Sequence, residues 1–86
     1  MEQFVMNGKI AMLNKSTKKQ DEFFDLVSKV SRMQGMRDSD LALNAGVSST
    51  YLSLTKNGHS ALSLTGMYSI ANALGIQVTI EFKTHD

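Results

Sequence analysis

Serine and threonine side chains are concentrated within six consecutive positions of this 86-residue chain: Ser48, Ser49, Thr50 and Ser53. A hydrolase serine is expected in a Gly-x-Ser-x-Gly motif, and the sequence contains neither that motif nor a glycine-rich phosphate-binding loop. His59 and His85 lack carboxylate or thiol partners at the spacing of metal ligands. The sequence therefore predicts no enzyme, no metal site and no cofactor, which leaves the hydroxyl groups to make hydrogen bonds.

The hydroxyl-rich positions belong to a longer pattern, residues 38 to 57, that predicts two short helices joined by a tight turn. Such a pair needs a small residue where the helices cross and a turn residue that tolerates positive φ. Ala42 and Gly46 meet these needs. Four apolar residues are spaced to face the core: Leu41, Ala45, Val47 and Leu52. This shape is the one that places a helix in a DNA major groove.

Two further helices are predicted on either side of this pair. Thr17 and Gln20 form a capping-box pattern at the start of a helix over residues 18 to 34, which Gly35 ends. Ser63 is the predicted N-cap of the last helix, and Gly75 ends it. In the first helix, apolar residues recur at steps of three and four and predict one buried stripe, made of Phe23, Leu26, Val27, Val30 and Met33.

After Gly75 apolar and polar residues alternate, which predicts a half-buried strand over residues 76 to 83. A lone strand leaves its backbone groups unpaired, so it must pair with the N-terminal segment or with the same strand of a second copy. The predicted fold class is mainly α, a compact bundle of four to five helices with a C-terminal β-strand. Its parts are an N-terminal arm or strand (1 to 16), a helical domain (17 to 75) and the strand with a tail (76 to 86).

Composition limits the chain to one small domain with a modest core. Because it has no cysteine, no signal-like start and no apolar run of bilayer length, we expect a cytoplasmic protein that does not bind membranes. The net charge of +1 is unevenly distributed: residues 1 to 37 carry seven Lys or Arg against four acids, and residues 38 to 86 carry two against four. The positive charge therefore precedes the hydroxyl-rich stretch.

A series of short motifs follows at fixed spacing: Val27, Val30, Gly35-Met36, Leu41-Ala42, Ala45-Gly46-Val47-Ser48, Tyr51-Leu52-Ser53, Asn57-Gly58, Ser63-Leu64, Ile70-Ala71 and Ala73-Leu74-Gly75. On these motifs the chain, from residue 23 to 76, resembles the lambda-repressor-like helix-turn-helix domains of the Cro-repressor (XRE) family. The resemblance implies a four- or five-helix fold whose third helix reads DNA as part of a dimer. The ending also resembles antitoxin repressors of the HipB type, in which a strand after the fourth helix pairs across the dimer.

Three positions depart from the family pattern. Thr55 stands where members often have isoleucine, and its hydroxyl is expected to bond a carbonyl one turn back. Ser31 and Lys56 stand where the family commonly pairs an arginine with a glutamate, so that buried ion pair is absent. Asp38 stands where many relatives place a glutamine that touches DNA, and phosphates would repel its carboxylate unless it caps the helix.

The resemblance assigns base reading to the outward side of the third helix, residues Ser48, Ser49, Thr50 and Ser53. A hydroxyl both donates and accepts, so these residues discriminate bases poorly, although the Thr50 methyl group could contact a thymine methyl. Simple solvation of this face is the alternative interpretation. The expected phosphate contacts are Lys15, Lys18, Lys19, Arg37, Ser39, Tyr51, Lys56, Asn57, His59 and Ser60. The three lysines near the first helix are as readily interpreted as a solvated face.

The sequence thus favours a transcriptional regulator, a repressor, that binds a pseudo-palindromic operator in double-stranded DNA as a homodimer. The predicted dimer contacts are Ile76, Val78, Ile80 and Phe82. The alternative is an antitoxin or anti-repressor type of interaction module whose main partner is a protein, such as a toxin. The part of the chain that contains the predicted DNA-reading helix is nearly uncharged, and the C-terminal strand is apolar. Both observations motivate that alternative.

Overall fold

The computed structural model describes residues 3 to 7 and 18 to 81. The elements are β1 (Gln3–Asn7), α1 (Lys18–Met33), α2 (Asp38–Ala45), α3 (Ser49–Lys56), α4 (Leu64–Leu74) and β2 (Gln77–Glu81). The predicted fold class is confirmed, because four helices and a small two-stranded sheet form one compact, mainly α domain. None of the described helices is long and apolar enough to cross a membrane. Thr17, the predicted cap of α1, lies outside the described residues.

The two strands pair in parallel within the chain, with Gln3 opposite Gln77 and Asn7 opposite Glu81. Of the two pairings that the sequence left open, the one with the N-terminal segment is therefore the one observed. Parallel strands need a long connection, and here the helices provide it. Phe4 anchors β1 to α1, since its buried ring packs edge-on against Phe23 with centroids 5.1 Å apart.

The hydrophobic core is built from all four helices together with Phe4 and Ile76. Helices α1 and α4 each provide four of its residues, and those of α4 recur at steps of three and four along one face. Helix α4 begins at Ser63, whose Oγ accepts the Gly66 N–H at 2.9 Å, and it ends at Gly75, as predicted. Its buried apolar side chains are Met67, Ile70, Ala71 and Leu74.

The predicted stripe of α1 is confirmed except at one residue. Met33 is 69% exposed, so its placement in the core was wrong. The chain turns at Gly35, where φ is +68°, and Met36 packs against the core instead. Phe24, which the predicted stripe omitted, is buried and contacts Phe23 edge-on at 5.4 Å. The core side of α1 is therefore wider than a strict three-and-four spacing predicts.

Candidate nucleic-acid interface

Helices α2 and α3 form a compact unit joined by a three-residue turn, here called the α2–turn–α3 unit (38 to 56). Leu41 and Ala42 anchor α2, each 2% exposed or less. Gly46 adopts a φ of +72°, which its lack of a Cβ permits, and the Val47 N–H donates to the Ala42 carbonyl at 3.0 Å. The predicted positive-φ turn at Gly46 is confirmed, and it sets the direction in which α3 leaves.

Ser48 begins α3 as its N-cap. Its Oγ accepts the Tyr51 backbone N–H at 3.0 Å, which satisfies one donor that the first helical turn leaves without a partner. Ser48 was predicted to read bases. As placed, its hydroxyl oxygen stabilises the start of α3, which leaves its O–H proton and one lone pair for an outside partner.

One side of α3 faces away from the domain. Four side chains on it are exposed, and they define the outer face of α3: Ser49, Thr50, Ser53 and Leu54. Three of these were predicted base-reading residues, and the structure brings them together. Leu54, which is 40% exposed, was not predicted. The signal was available, because Leu52 and Leu54 are two residues apart and cannot both face the core of one helix.

The opposite side of α3, formed by Leu52 and Thr55, is almost fully buried, with exposures of 2% and 0%. The Thr55 hydroxyl donates to the Tyr51 carbonyl at 2.8 Å and lies 3.2 Å from the Leu52 carbonyl. The predicted bond to a carbonyl one turn back is confirmed. Thr55 therefore satisfies its hydroxyl within α3 and needs no polar partner from the core.

A buried amide holds the C-terminal end of α3 and the loop that follows. Gln20 of α1 is 7% exposed, and its Nε2 donates to the carbonyls of Thr55 at 2.8 Å and Ser60 at 2.9 Å. Its Oε1 accepts the Leu62 N–H at 2.9 Å. The sequence assigned Gln20 to a local capping box and gave no sign of these long-range bonds. They fix α3 relative to α1.

Tyr51 joins α3 to the start of α4. Its hydroxyl accepts the Ser63 N–H at 3.1 Å and lies 3.2 Å from the Ser63 Oγ. A Cβ at Gly66 would collide with this hydroxyl, so a residue without a side chain suits that position. Tyr51 was predicted to place its hydroxyl near a phosphate; in the structure the hydroxyl bonds α4.

The loop after α3 folds back on the helix. The Asn57 side chain donates to the Ser53 carbonyl at 2.9 Å and so caps α3, while the His59 N–H donates to the Leu54 carbonyl at 2.8 Å. The His59 side chain is exposed, and Ser60 is half-buried with its carbonyl bound by Gln20. Asn57 is exposed as well, so of these three predicted phosphate contacts only Ser60 is partly covered.

A shallow depression of about 160 Å³ lies between the start of α2 and α3. Its walls come from both helices: Asp38, Ser39, Ser49, Leu52 and Ser53. Ser39, a predicted phosphate contact, is therefore close to the outer face of α3. The carboxylate of Asp38 lines the same depression and is paired with Lys56.

Three of the cations predicted to contact phosphates lie beside an acid. Lys19 pairs with Glu22 at 3.5 Å, and Arg37, the residue preceding α2, pairs with Asp40 at 3.5 Å. Lys56 pairs with a residue of α2, Asp38, at 2.9 Å. Lys18 is the first residue of α1, and Lys15 lies outside the described residues. Ser31 is buried and its hydroxyl lies 3.3 Å from the Ser28 carbonyl.

The four residues predicted to form a dimer contact differ in position. Ile76 is 3% exposed and lies in the core of its own chain, so it presents no surface to a second copy. Val78 is half-buried against that core, and the backbone of Ile80 lies opposite Met6 in the sheet. Phe82 lies outside the described residues. Of the four predicted residues, only those beyond Ile76 are therefore left as candidates for a contact with a second copy.

The described residues hold no group of three or more His, Asp or Glu side chains that could bind a metal ion. No protein-family model and no curated protein matches the chain.

Proposed function

We propose that this protein is a sequence-selective DNA-binding regulator, a repressor, whose α3 lies in the major groove. The observation that carries the proposal is the division of α3 into two sides. Leu52 and Thr55 are buried, while the outer face of α3 exposes four short or apolar side chains that no core contact requires. A helix held rigidly by one side with the other side exposed is what groove recognition needs.

The size of α3 fits this role. An α-helix with its side chains is about 10–12 Å across, which fits the ~12 Å width of the major groove of B-DNA, and the eight residues of α3 extend for about 12 Å. Short side chains at Ser49 and Ser53 allow the helix backbone to approach base edges closely. The turn at Gly46 and the cap at Ser48 hold the leading end of α3 in place.

The chemistry of the outer face predicts the kind of bases it prefers. The hydroxyls of Ser49, Thr50 and Ser53 accept or donate to either base of a pair and discriminate weakly. Leu54 and the Thr50 methyl group lie one helical turn apart and can both contact thymine 5-methyl groups in the groove. We therefore expect half-sites in which thymine is the most restricted base, with further selectivity from DNA shape.

The proposal includes a homodimer. Two copies would place their α3 helices in successive major grooves about 34 Å apart, so the operator would be a pseudo-palindrome. The strand residues Val78, Ile80 and Phe82 are the proposed contact with the second copy. Such a dimer would block transcription by occupying a promoter.

Selection of duplexes from a random pool by the purified protein tests the proposal. The salt concentration should be ~0.15 M, where exposed charges are strongly screened. Recovery of a palindrome with thymine at fixed positions would support a dimeric, sequence-selective regulator. Equal recovery of all sequences would contradict it.

A second candidate function is an interaction module whose main partner is a protein, such as a toxin. The observation in its favour is Leu43, which lies on α2 and is 79% exposed, a large apolar side chain with no core contact. Purification of the protein from its native host distinguishes the two. A second protein in equal amount, together with a failed duplex selection, would favour this module.

A further inference from the structure

The ion pair between Asp38 and Lys56 differs from the other two described pairs. Lys19–Glu22 and Arg37–Asp40 join residues three apart within one helical turn, whereas Asp38 and Lys56 are 18 residues apart and connect α2 to α3. Both carboxylate oxygens approach the Lys56 Nζ, at 2.9 and 3.3 Å. The fold therefore places the Asp38 carboxylate against Lys56, the basic residue at the C-terminal end of α3.

The fold does not depend on this pair. The Asp38 side chain is 63% exposed and that of Lys56 is 35% exposed, so water screens their attraction. Exposed ion pairs of this kind typically stabilise a protein by less than about 1 kcal/mol. Stability alone therefore does not explain why an acid occupies position 38.

The pair has a larger effect on the charge of the surface. Lys56 is the only charged residue between positions 41 and 80, and Asp38 neutralises it. The same carboxylate lines the depression that contains Ser49 and Ser53 of the outer face. A phosphate backbone approaching α3 would therefore meet Lys56 already paired with the Asp38 carboxylate.

We propose that Asp38 restrains sequence-independent DNA binding, because its carboxylate holds Lys56 and keeps that ammonium group from phosphates. This inference rests on the proposed DNA-binding function. Phosphate contacts contribute to the affinity for every duplex, whereas base contacts contribute only at matching sequences. With Lys56 restrained, the affinity depends more on the outer face of α3 and less on charge.

The test compares Asp38→Asn with Asp25→Asn, an equal change of charge at an exposed position of α1. Binding to one unrelated duplex is measured from about 50 to 200 mM salt, the range in which phosphate contacts change affinity most visibly. The same titrations are made with Lys56→Gln and with the Asp38→Asn, Lys56→Gln double variant. Thermal melting of each variant verifies that it is folded.

One additional phosphate contact should raise the affinity of Asp38→Asn for the unrelated duplex about tenfold at 0.1 M salt and steepen the log–log salt slope by about 0.9. Asp25→Asn should leave the slope unchanged, and the double variant should lose the gain. An equal gain for both Asp variants, a gain that survives removal of Lys56, or no gain at any salt concentration would overturn the proposal. The duplex selection with the wild-type protein is a separate experiment. If it fails while the Lys56-dependent gain in affinity is present, the proposed sequence selectivity is wrong and the proposed restraint by Asp38 is supported.

Discussion

The two sides of α3 have different physical environments although they alternate along the same eight residues. The inner side is closed: Leu52 and Thr55 are at most 2% exposed, and no buried side-chain nitrogen or oxygen of the described residues lacks a hydrogen-bond partner. The outer face of α3 is open, and its only apolar residue, Leu54, is 40% exposed. The residues that stabilise the fold are therefore separated, within one helix, from those proposed to contact DNA, so substitutions can affect one set with little effect on the other.

The closed side also extends beyond α3. Gln20 from α1 binds the end of the helix and the loop after it, and Tyr51 binds the start of α4. These bonds attach α3 to three other parts of the domain. The outer face of α3 contributes nothing comparable, since Ser49, Thr50 and Ser53 are exposed and make no side-chain bond to the described residues.

The largest difference is expected between two leucines of α3. Leu52→Ala should lower the free energy of unfolding by about 2 to 5 kcal/mol, because it leaves a cavity in the core. Leu54→Ala, the matched control on the outer face, should lower it by less than about 1 kcal/mol. Urea unfolding of both variants measures the two effects. Similar losses for the two variants would break the comparison.

The next effect concerns the buried amide of α1. Gln20→Leu keeps a similar volume but leaves the Ser60 carbonyl and the Leu62 N–H without their side-chain partner, so we expect a loss of about 2 kcal/mol. Gln34→Leu is the control, because Gln34 is exposed and makes one described bond, to the Leu74 carbonyl at 2.8 Å. Its loss should stay below about 1 kcal/mol in the same unfolding experiment. A Gln20→Leu protein as stable as the wild type would show that the loop does not need the amide.

A smaller effect is expected at the turn. Gly46→Ala places a Cβ at a φ of +72°, which should destabilise the protein by about 1 to 2 kcal/mol through backbone strain alone, since nothing lies within 4 Å of the added atom. Asparagine tolerates this conformation better, so Gly46→Asn should lose less. Calorimetric melting of the two variants orders them. The reverse order would mean that the turn is not held at positive φ.

The local parts of the structure were predictable from the sequence. The order and the bounds of the helices followed from three signals: glycines after helices, serine caps, and the change from a three-to-four step to an alternation of apolar and polar residues. These signals are readable in the sequence because they depend only on neighbouring residues. The pairing of the last strand was left open between two partners. A strand pattern specifies which face is buried but not which chain supplies the next strand.

The candidate site was predicted less completely. Ser49, Thr50 and Ser53 were identified, but Leu54 was missed although its spacing from Leu52 excluded a core position. The bonds of Gln20 and the ion pair of Asp38 connect residues 18 to 42 positions apart, and no local pattern indicates such contacts. Ser48, Tyr51 and Asn57 were predicted to contact DNA, and their bonds at helix ends and junctions were not predicted.

Base reading by the outer face of α3 is measured by the ratio of affinities for a selected and a scrambled duplex. The ratio is determined for the wild type and for a variant with Ser49→Ala, Thr50→Ala and Leu54→Ala, alongside thermal melting. We predict that the ratio falls towards one while the melting temperature changes little, because the outer face of α3 is proposed to read bases and its side chains are not part of the core. An unchanged ratio, or an equal loss of affinity for both duplexes, would contradict the account.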